Sequence, residues 1–503
     1  MFKFLSLAAV SQAVLVTQQL VLLPLQIHFW GYETAALWLA VNALAAFVGA
    51  SDLGLRNVAF AAIAAGQTGP RLNTLWTIIR AQVLGCAAVI GVISFFYFGP
   101  EAGPKWLFVC LLSTAMALDG FFLIRVALLE AAGLITICEA LFVVLAVSRV
   151  VVGSVAILIF HAGPLTLSAF WLASTIVVIA LQSRLRAAGA LSPLLGHWRL
   201  SGAGEAYREA RWSASGPLSS WAQIQLPVMV LQAFAPAALT SSFVAIRSIF
   251  SLVRAIIAQV ARIASVRFVE RAGGQGLESA RALLLLIAGG FAWVAAGISL
   301  GVFAENQMIL GPLFALPHDN FVRIMTVTFA VSSIFSVHQI FSLALMRQGE
   351  FRLGGGASYF YILGMVVVGV FSFALKNPDL LVFGLVASDA IFLAQVVWPF
   401  FLPAPGAKTA GTALRRARVS FVLSMTLWVA LTIAAWALFW WYFARHEIVE
   451  FSITRLIAAL AVALLVVLAA AGCFVGLSRH QIRDLIGKTA RPLDTPSSEP
   501  LSP

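Results

Sequence analysis

The chain has 503 residues, of which 61% are hydrophobic and only 10% charged, with 38 Phe and 14 Trp. A soluble domain carries about 25% charged residues and has too little interior to hide this much apolar surface, so a water-soluble fold is excluded and the solvent is a bilayer. The net charge of +12 suggests nucleic acid until the charges are placed along the chain. The mean hydropathy of +0.98 agrees with membrane residence.

Hydropathy, with Gly, Pro and charge as punctuation, predicts 14 spans. They lie near 4–28, 33–65, 73–98, 105–130, 134–160, 165–184, 213–235, 237–265, 281–303, 320–347, 353–375, 379–402, 419–443 and 453–477. The first has one Lys before an apolar run too long for a signal-peptide core, so it reads as an uncleaved span. Backbone groups in lipid must be satisfied internally, so each stretch is a helix. The two-residue alternation of an outer-membrane barrel is absent. The expected fold class is an all-α polytopic membrane protein.

A long connection at 185–212 mixes apolar and basic residues and reads as an amphipathic linker on the membrane surface. It divides the first 12 spans into segments 1–184 and 213–402. Two further helices follow in 419–477. The tail 478–503 is Pro/Ser-rich from 488 onward, and that part is expected to be disordered.

Charge placement supports this count. With a cytoplasmic N-terminus, the outer side holds Lys105, Lys376, Arg445 and Arg455, and the spans hold Arg149, Arg247, Arg254 and Arg323. The other 24 of the 32 Lys and Arg fall on the inner side, as the positive-inside rule requires. The excess positive charge is therefore topological, and no nucleic-acid partner is called for. Both termini are expected in the cytoplasm.

Polar residues within the spans are the functional candidates, because an ionisable group in lipid is costly. Gln12, Gln19 and Gln26 recur every seven residues in the first span, and Asn42, Gly49 and Arg56 do so in the second. Asp52 stands one turn before Arg56. Arg247 and Arg254 are seven apart in the eighth span. Ser332, Ser336 and Gln339 share a face of the tenth, with His338 beside them. These rows are either interhelical glue or the lining of a cavity. Arg56, Arg149, Arg247, Arg254 and Arg323 outnumber the intramembrane acids Asp52, Asp119, Glu139 and Asp389. A surplus of cations in low dielectric suits an anion such as phosphate, with Arg247 and Arg254 as the expected contacts and Arg56 and Arg149 beside them. Asp389 is either a coupling carboxylate for a proton or Na⁺ or the partner of an arginine on another helix. His338 either satisfies a neighbour or titrates during transport.

Other chemistry has little support. Cys86, Cys110, Cys138 and Cys473 form no CxxC pair and approach no His cluster, so they read as small buried hydrophobes rather than metal ligands or a disulfide framework. There is no GxxxxGK[ST] loop for ATP. The longest outer connection, near 304–319, offers only Glu305, His318 and Asp319 for catalysis. The expected protein is not an enzyme and carries no cofactor.

The stretch from Leu23 to Phe60 contains the turn Gly31-Tyr32-Glu33, the aromatic Trp38 and the motif Asp52-Leu53-Gly54-Leu55. It resembles the polysaccharide-export flippases of the multidrug/oligosaccharidyl-lipid/polysaccharide (MOP) superfamily. Ala36 stands where that family usually has a small Gly. The segment Gln223–Ile256 looks similar to the start of the family's second half, with Pro227 near the place of an acid. Elsewhere the resemblance is topological. It implies two six-helix lobes around a central cavity, two extra C-terminal helices and alternating access.

The implied substrate is a polyprenyl-pyrophosphate-linked oligosaccharide, flipped across the bacterial inner membrane for O-antigen, lipopolysaccharide or exopolysaccharide assembly. Membrane lipids surround the protein, and a glycan polymerase and glycosyltransferases of the same pathway are the implied partners. The family's cationic cavity corresponds by location to Arg56, Arg247 and Arg254, with Gln19, Asn42, Asp52 and Gln339 as polar lining. Competing readings are a cation-coupled multidrug exporter, a membrane-embedded glycan ligase or polymerase, and a major-facilitator carrier.

Overall fold

The structure, a computed structural model, describes residues 2–56, 58–59, 70–98, 103–131, 135–184, 202–305, 320–347, 351–402 and 412–445. All regular structure among the described residues is helical. The first half comprises α1 (Phe2–Ala50), α2 (Pro70–Phe98), α3 (Gly103–Ala131), α4 (Ile135–Phe160) and α5 (Pro164–Arg184). The short α6 (Ala203–Ala210) leads to α7 (Ser215–Ile224), α8 (Leu226–Phe234), α9 (Ala237–Gln275) and α10 (Leu277–Glu305). Then come α11 (Asn320–Phe335), α12 (His338–Arg347), α13 (Phe351–Leu375), α14 (Pro378–Phe401) and α15 (Thr412–Arg445). Ten described helical segments are long and apolar enough to cross a membrane. The protein is an all-α polytopic membrane protein, as its composition requires.

The breaks are informative. The spans expected at 4–28 and 33–65 share α1, which Gly31 interrupts with φ 75° and ψ 169°, a conformation open to Gly because it lacks Cβ. The Trp30 indole N–H anchors this break by donating to the Ala162 carbonyl at 2.8 Å. The span at 213–235 is two helices that meet at Gln225, and the span at 320–347 is two that meet at Ser336–Val337. The span at 453–477 and the tail lie outside the described residues, as does the linker as far as Ser201. Within the linker's described end, α6 buries Ala206 and Ala210 and leaves Tyr207 exposed. This short helix is amphipathic.

Helix α1 forms the seam of the molecule. Leu22, Trp38, Val41 and Ala45 join an apolar cluster with α2, α3 and α5. Leu23, Ile27, Ala35 and Ala43 join a larger one built from α7–α15. Adjacent positions on a helix point about 100° apart, so the neighbours Leu22 and Leu23 enter different clusters. Accordingly α1 packs on α3 and α4 of the first half and on α8 and α9 of the second. The outer surface carries large apolar side chains such as Phe96 (78% exposed) and Phe160 (69%). In water such a surface would aggregate; here it faces lipid.

The motif Asp52-Leu53-Gly54-Leu55 is a sharp turn, with positive φ at Leu53 (47°) and Gly54 (74°). The Gly54 amide donates to Asp52 Oδ1 at 3.3 Å. A Cβ on Gly54 would overlap the backbone of Ser213 and Ala214, and the Ser213 hydroxyl donates to the Gly54 carbonyl at 3.1 Å. This turn docks the first half onto the start of α7. Cys86, Cys110 and Cys138 form no disulfide among the described residues, and Cys473 lies outside them.

Candidate functional site: a cavity with three arginines

Arg247 and Arg254 stand two turns apart on α9, and both line a cavity of about 810 Å³ between the two halves. Helix α1 contributes Gln26, Trp38 and Asn42, while α4 and α5 contribute Arg149 and Trp171. The opposite wall includes Gln223 of α7, His338 and Gln339 of α12 and Tyr361 of α13. Among the described lining residues there are three arginines and no Asp or Glu. The cavity volume is that of a small-molecule or headgroup site.

The three arginines are held differently. Arg149 directs one terminal nitrogen at both oxygens of Asp119, at 2.8 and 2.7 Å. The same nitrogen lies 2.8 Å from the Thr175 hydroxyl, and the guanidinium sits 4.8 Å from the centre of the Trp171 ring. Arg254 pairs with Asp389 Oδ2 at 3.2 Å and donates to the Ser332 hydroxyl. Asp389 also accepts from the Gln223 amide at 2.6 Å and from the Ser332 hydroxyl. Its carboxylate, set on α14, thus ties together α7, α9 and α11 behind the cavity wall. A buried charge requires such partners.

Arg247 differs from both. It is 8% exposed and donates to the Ile224 carbonyl, beside the break between α7 and α8. Its guanidinium lies 6.0 Å from the Phe243 ring centre. Among the described residues no carboxylate lies within ion-pair reach of it. The cavity's charge arithmetic is therefore one Arg–Asp pair from each half and one uncompensated cation.

The expected site residues distribute as follows. Arg149, Arg247, Arg254, Asn42, Gln339 and His338 line the cavity, and Asp389 lies directly behind it. Arg56 and Asp52 do not line it. They pair with each other at 3.1 Å at the turn beyond α1. Their seven-residue register with Asn42 is lost because the turn at 51–54 breaks the helix. The side chains of Gln19, Arg323 and Glu139 lie outside the described residues. Of the two roles open to Asp389, pairing with an arginine on another helix is the one this conformation displays. His338 is buried against Phe392, with ring centres 4.5 Å apart, and neither of its nitrogens has a hydrogen-bond partner among the described residues.

Sequence reasoning missed Gln223, Tyr361, Thr175 and Trp171. Gln223 and Thr175 are neutral and lie 166 and 56 residues from the acids they hold, so no spacing along the chain marks them. Trp171 is one of 14 tryptophans, and composition alone does not distinguish it.

The fold is shared with known transporters. The chain is similar to a lipid II flippase, MurJ, in an inward closed conformation, with TM-score 0.65 and 10% identity over 97% of this chain and 100% of that one. It is also similar to the eukaryotic MATE transporter AtDTX14, with TM-score 0.55 and 15% identity over 83% of this chain and 97% of that one. An inward-facing multidrug resistance MATE transporter of the MOP superfamily gives TM-score 0.50 and 14% identity over 84% and 98%. No protein-family model and no curated protein matches the chain. At these identities the likeness shows the fold alone, which this chain shares with a lipid II flippase and MATE transporters.

Proposed function

We propose that this membrane protein is a flippase. It would carry a polyprenyl-pyrophosphate-linked oligosaccharide from the cytoplasmic to the outer leaflet of the bacterial inner membrane, for cell-surface polysaccharide assembly. The observation that carries this reading is the lining of the cavity, with three arginines and no acid among its described residues. An anionic headgroup entering it loses hydration. It gains about 4 kcal/mol from a unit cation at 4 Å and an effective dielectric near 20, against about 1 kcal/mol in water.

In this reading Arg247 makes the first phosphate contact because no carboxylate competes for it. Arg254 becomes a second contact when Asp389 is neutralised by a proton or Na⁺, which gives Asp389 a coupling role. The two halves rock about the α1 seam, and the prenyl tail stays in lipid while the headgroup crosses in the cavity. No bond is made or broken. Both termini lie in the cytoplasm under the positive-inside distribution, and the enzymes that build and polymerise the glycan are the natural partners. A multidrug exporter of cationic compounds shares the fold but requires acids facing the cavity, and the described lining offers none.

The test is the leaflet location of lipid-linked repeat units in a deletion strain complemented with wild type or Arg247→Ala. Repeat units trapped on the cytoplasmic leaflet in both the deletion and the variant, at normal protein levels, are expected. Normal outward delivery in the deletion strain would contradict the flippase reading.

A further inference from the structure

The cavity walls differ in charge. On the second-half wall Arg247 is an open cation, whereas on the first-half wall the single charge among the described lining residues, Arg149, is neutralised by Asp119. Yet that first-half wall holds polar atoms without partners among the described residues. They are Nε of Arg149, the indole nitrogen of Trp171 and Oδ1 of Asn42. Arg149 and Trp171 are 8% and 6% exposed, and all three residues line the cavity. Polar atoms at such depth are normally hydrogen-bonded. Two buried donors and one buried acceptor left open beside a cavity are therefore groups that a ligand can satisfy.

The same wall is aromatic and rigid. Trp38 is stacked on Phe108 at 5.4 Å and meets Trp171 edge-on at 5.4 Å. Trp30 closes the cluster on Trp38 at 5.7 Å. A neutral wall that joins packed aromatic rings to open donors and an open acceptor fits a sugar ring. A sugar ring offers C–H faces to aromatic carbon, and its hydroxyls both donate and accept. A phosphate, which only accepts, would leave Asn42 Oδ1 unmet, and a hydrocarbon would leave all three atoms unmet.

We infer that the first-half wall formed by Trp38, Asn42, Arg149 and Trp171 is a subsite for a sugar ring, opposite the Arg247 anion site. This rests on the flippase reading and deepens it. The substrate is held crosswise, phosphate toward α9 and first sugar toward α1 and α5. A site built to bond hydroxyls discriminates strongly against a ligand that lacks them.

The test compares lipid probes on the full-length protein in nanodiscs. The probes are undecaprenyl diphosphate and the same lipid bearing one N-acetylglucosamine or one galactose. At least one sugar-bearing lipid is expected to bind wild type about tenfold tighter than the bare diphosphate. Trp171→Phe, which keeps a ring and removes the N–H, and Asn42→Ala should each reduce that ratio to about two. Arg247→Ala should weaken all three probes in parallel and keep the ratio. Thermal unfolding of each variant confirms that it is folded, and either of the two ratio variants suffices alone. A wild-type ratio near one, or a ratio kept in both Trp171→Phe and Asn42→Ala, overturns the subsite while leaving the flippase reading intact. If wild type binds none of the diphosphate lipids, the flippase reading falls and the subsite with it.

Discussion

Two Arg–Asp pairs beside the cavity, among the described residues, look alike and are built to different ends. In the first half, Arg149 and Asp119 join neighbouring helices α3 and α4, with both carboxylate oxygens on one guanidinium nitrogen and, among the described residues, Thr175 as the other side-chain partner of that nitrogen. In the second half, Asp389 divides its two oxygens among Gln223, Ser332 and Arg254. The first is a closed pair, and the second is a junction of four helices that one proton or ion can change. Next to the junction, and only there among the described lining residues, stands an arginine without an acid. The comparison teaches that the apparent surplus of cations in the spans is mostly cancelled, and that the cavity's character rests on Arg247.

That contrast can be broken first at the closed pair. Asp119→Leu leaves Arg149 buried and uncompensated, and should cost about 3–5 kcal/mol in thermal or denaturant unfolding of the purified protein. Adding Arg149→Met should restore most of it, because removing both charges is far cheaper than removing one. If the double variant is no more stable than the single, Asp119 does not act by neutralising Arg149.

A smaller loss is expected at the open cation. Arg247→Ala removes one charge-assisted contact to phosphate, worth about 1.5–3 kcal/mol, or about ten- to 150-fold in affinity for a diphosphate lipid. Arg247→Lys should recover part of this. Arg56→Ala, whose guanidinium is engaged by Asp52 away from the cavity, should change that affinity less than twofold.

The junction between halves gives the next effect. Gly54→Ala forces Cβ into the backbone of Ser213 and Ala214 and places a side chain at φ 74°. It should cost about 1–2 kcal/mol and loosen the docking of the motif turn on α7. Faster amide exchange at residues 211–216 would report this. The smallest effect is expected from Trp30→Phe, which deletes the N–H donated to Ala162. A loss of about 0.5–1.5 kcal/mol in thermal unfolding is expected.

How much of this was legible beforehand follows from what periodicity can carry. Hydropathy locates the described spanning helices because a bilayer imposes length and composition on each span independently. The seven-residue spacing of Arg247 and Arg254 was equally readable, since α9 runs unbroken through both. The same logic misplaced Arg56, because two positive-φ residues end the helix before it. Pairings between helices were beyond reach. Arg254 and Asp389 are 135 residues apart, and hydropathy says nothing about which helices meet. The acids that cancel two of the three arginines were visible as candidates, but their assignment needed the packing. The motif Asp52-Leu53-Gly54-Leu55 was legible as a resemblance, whereas its contact with Ser213 was not.

Whether Arg247 receives phosphate is decided by the affinity of wild type and Arg247→Ala for undecaprenyl diphosphate and for uncharged undecaprenol, measured side by side in nanodiscs. A loss of at least tenfold for the diphosphate, with undecaprenol unchanged, is the result predicted for an uncompensated cation that receives phosphate. Equal binding of the diphosphate by both proteins would contradict it and return Arg247 to the role of a helix-break anchor.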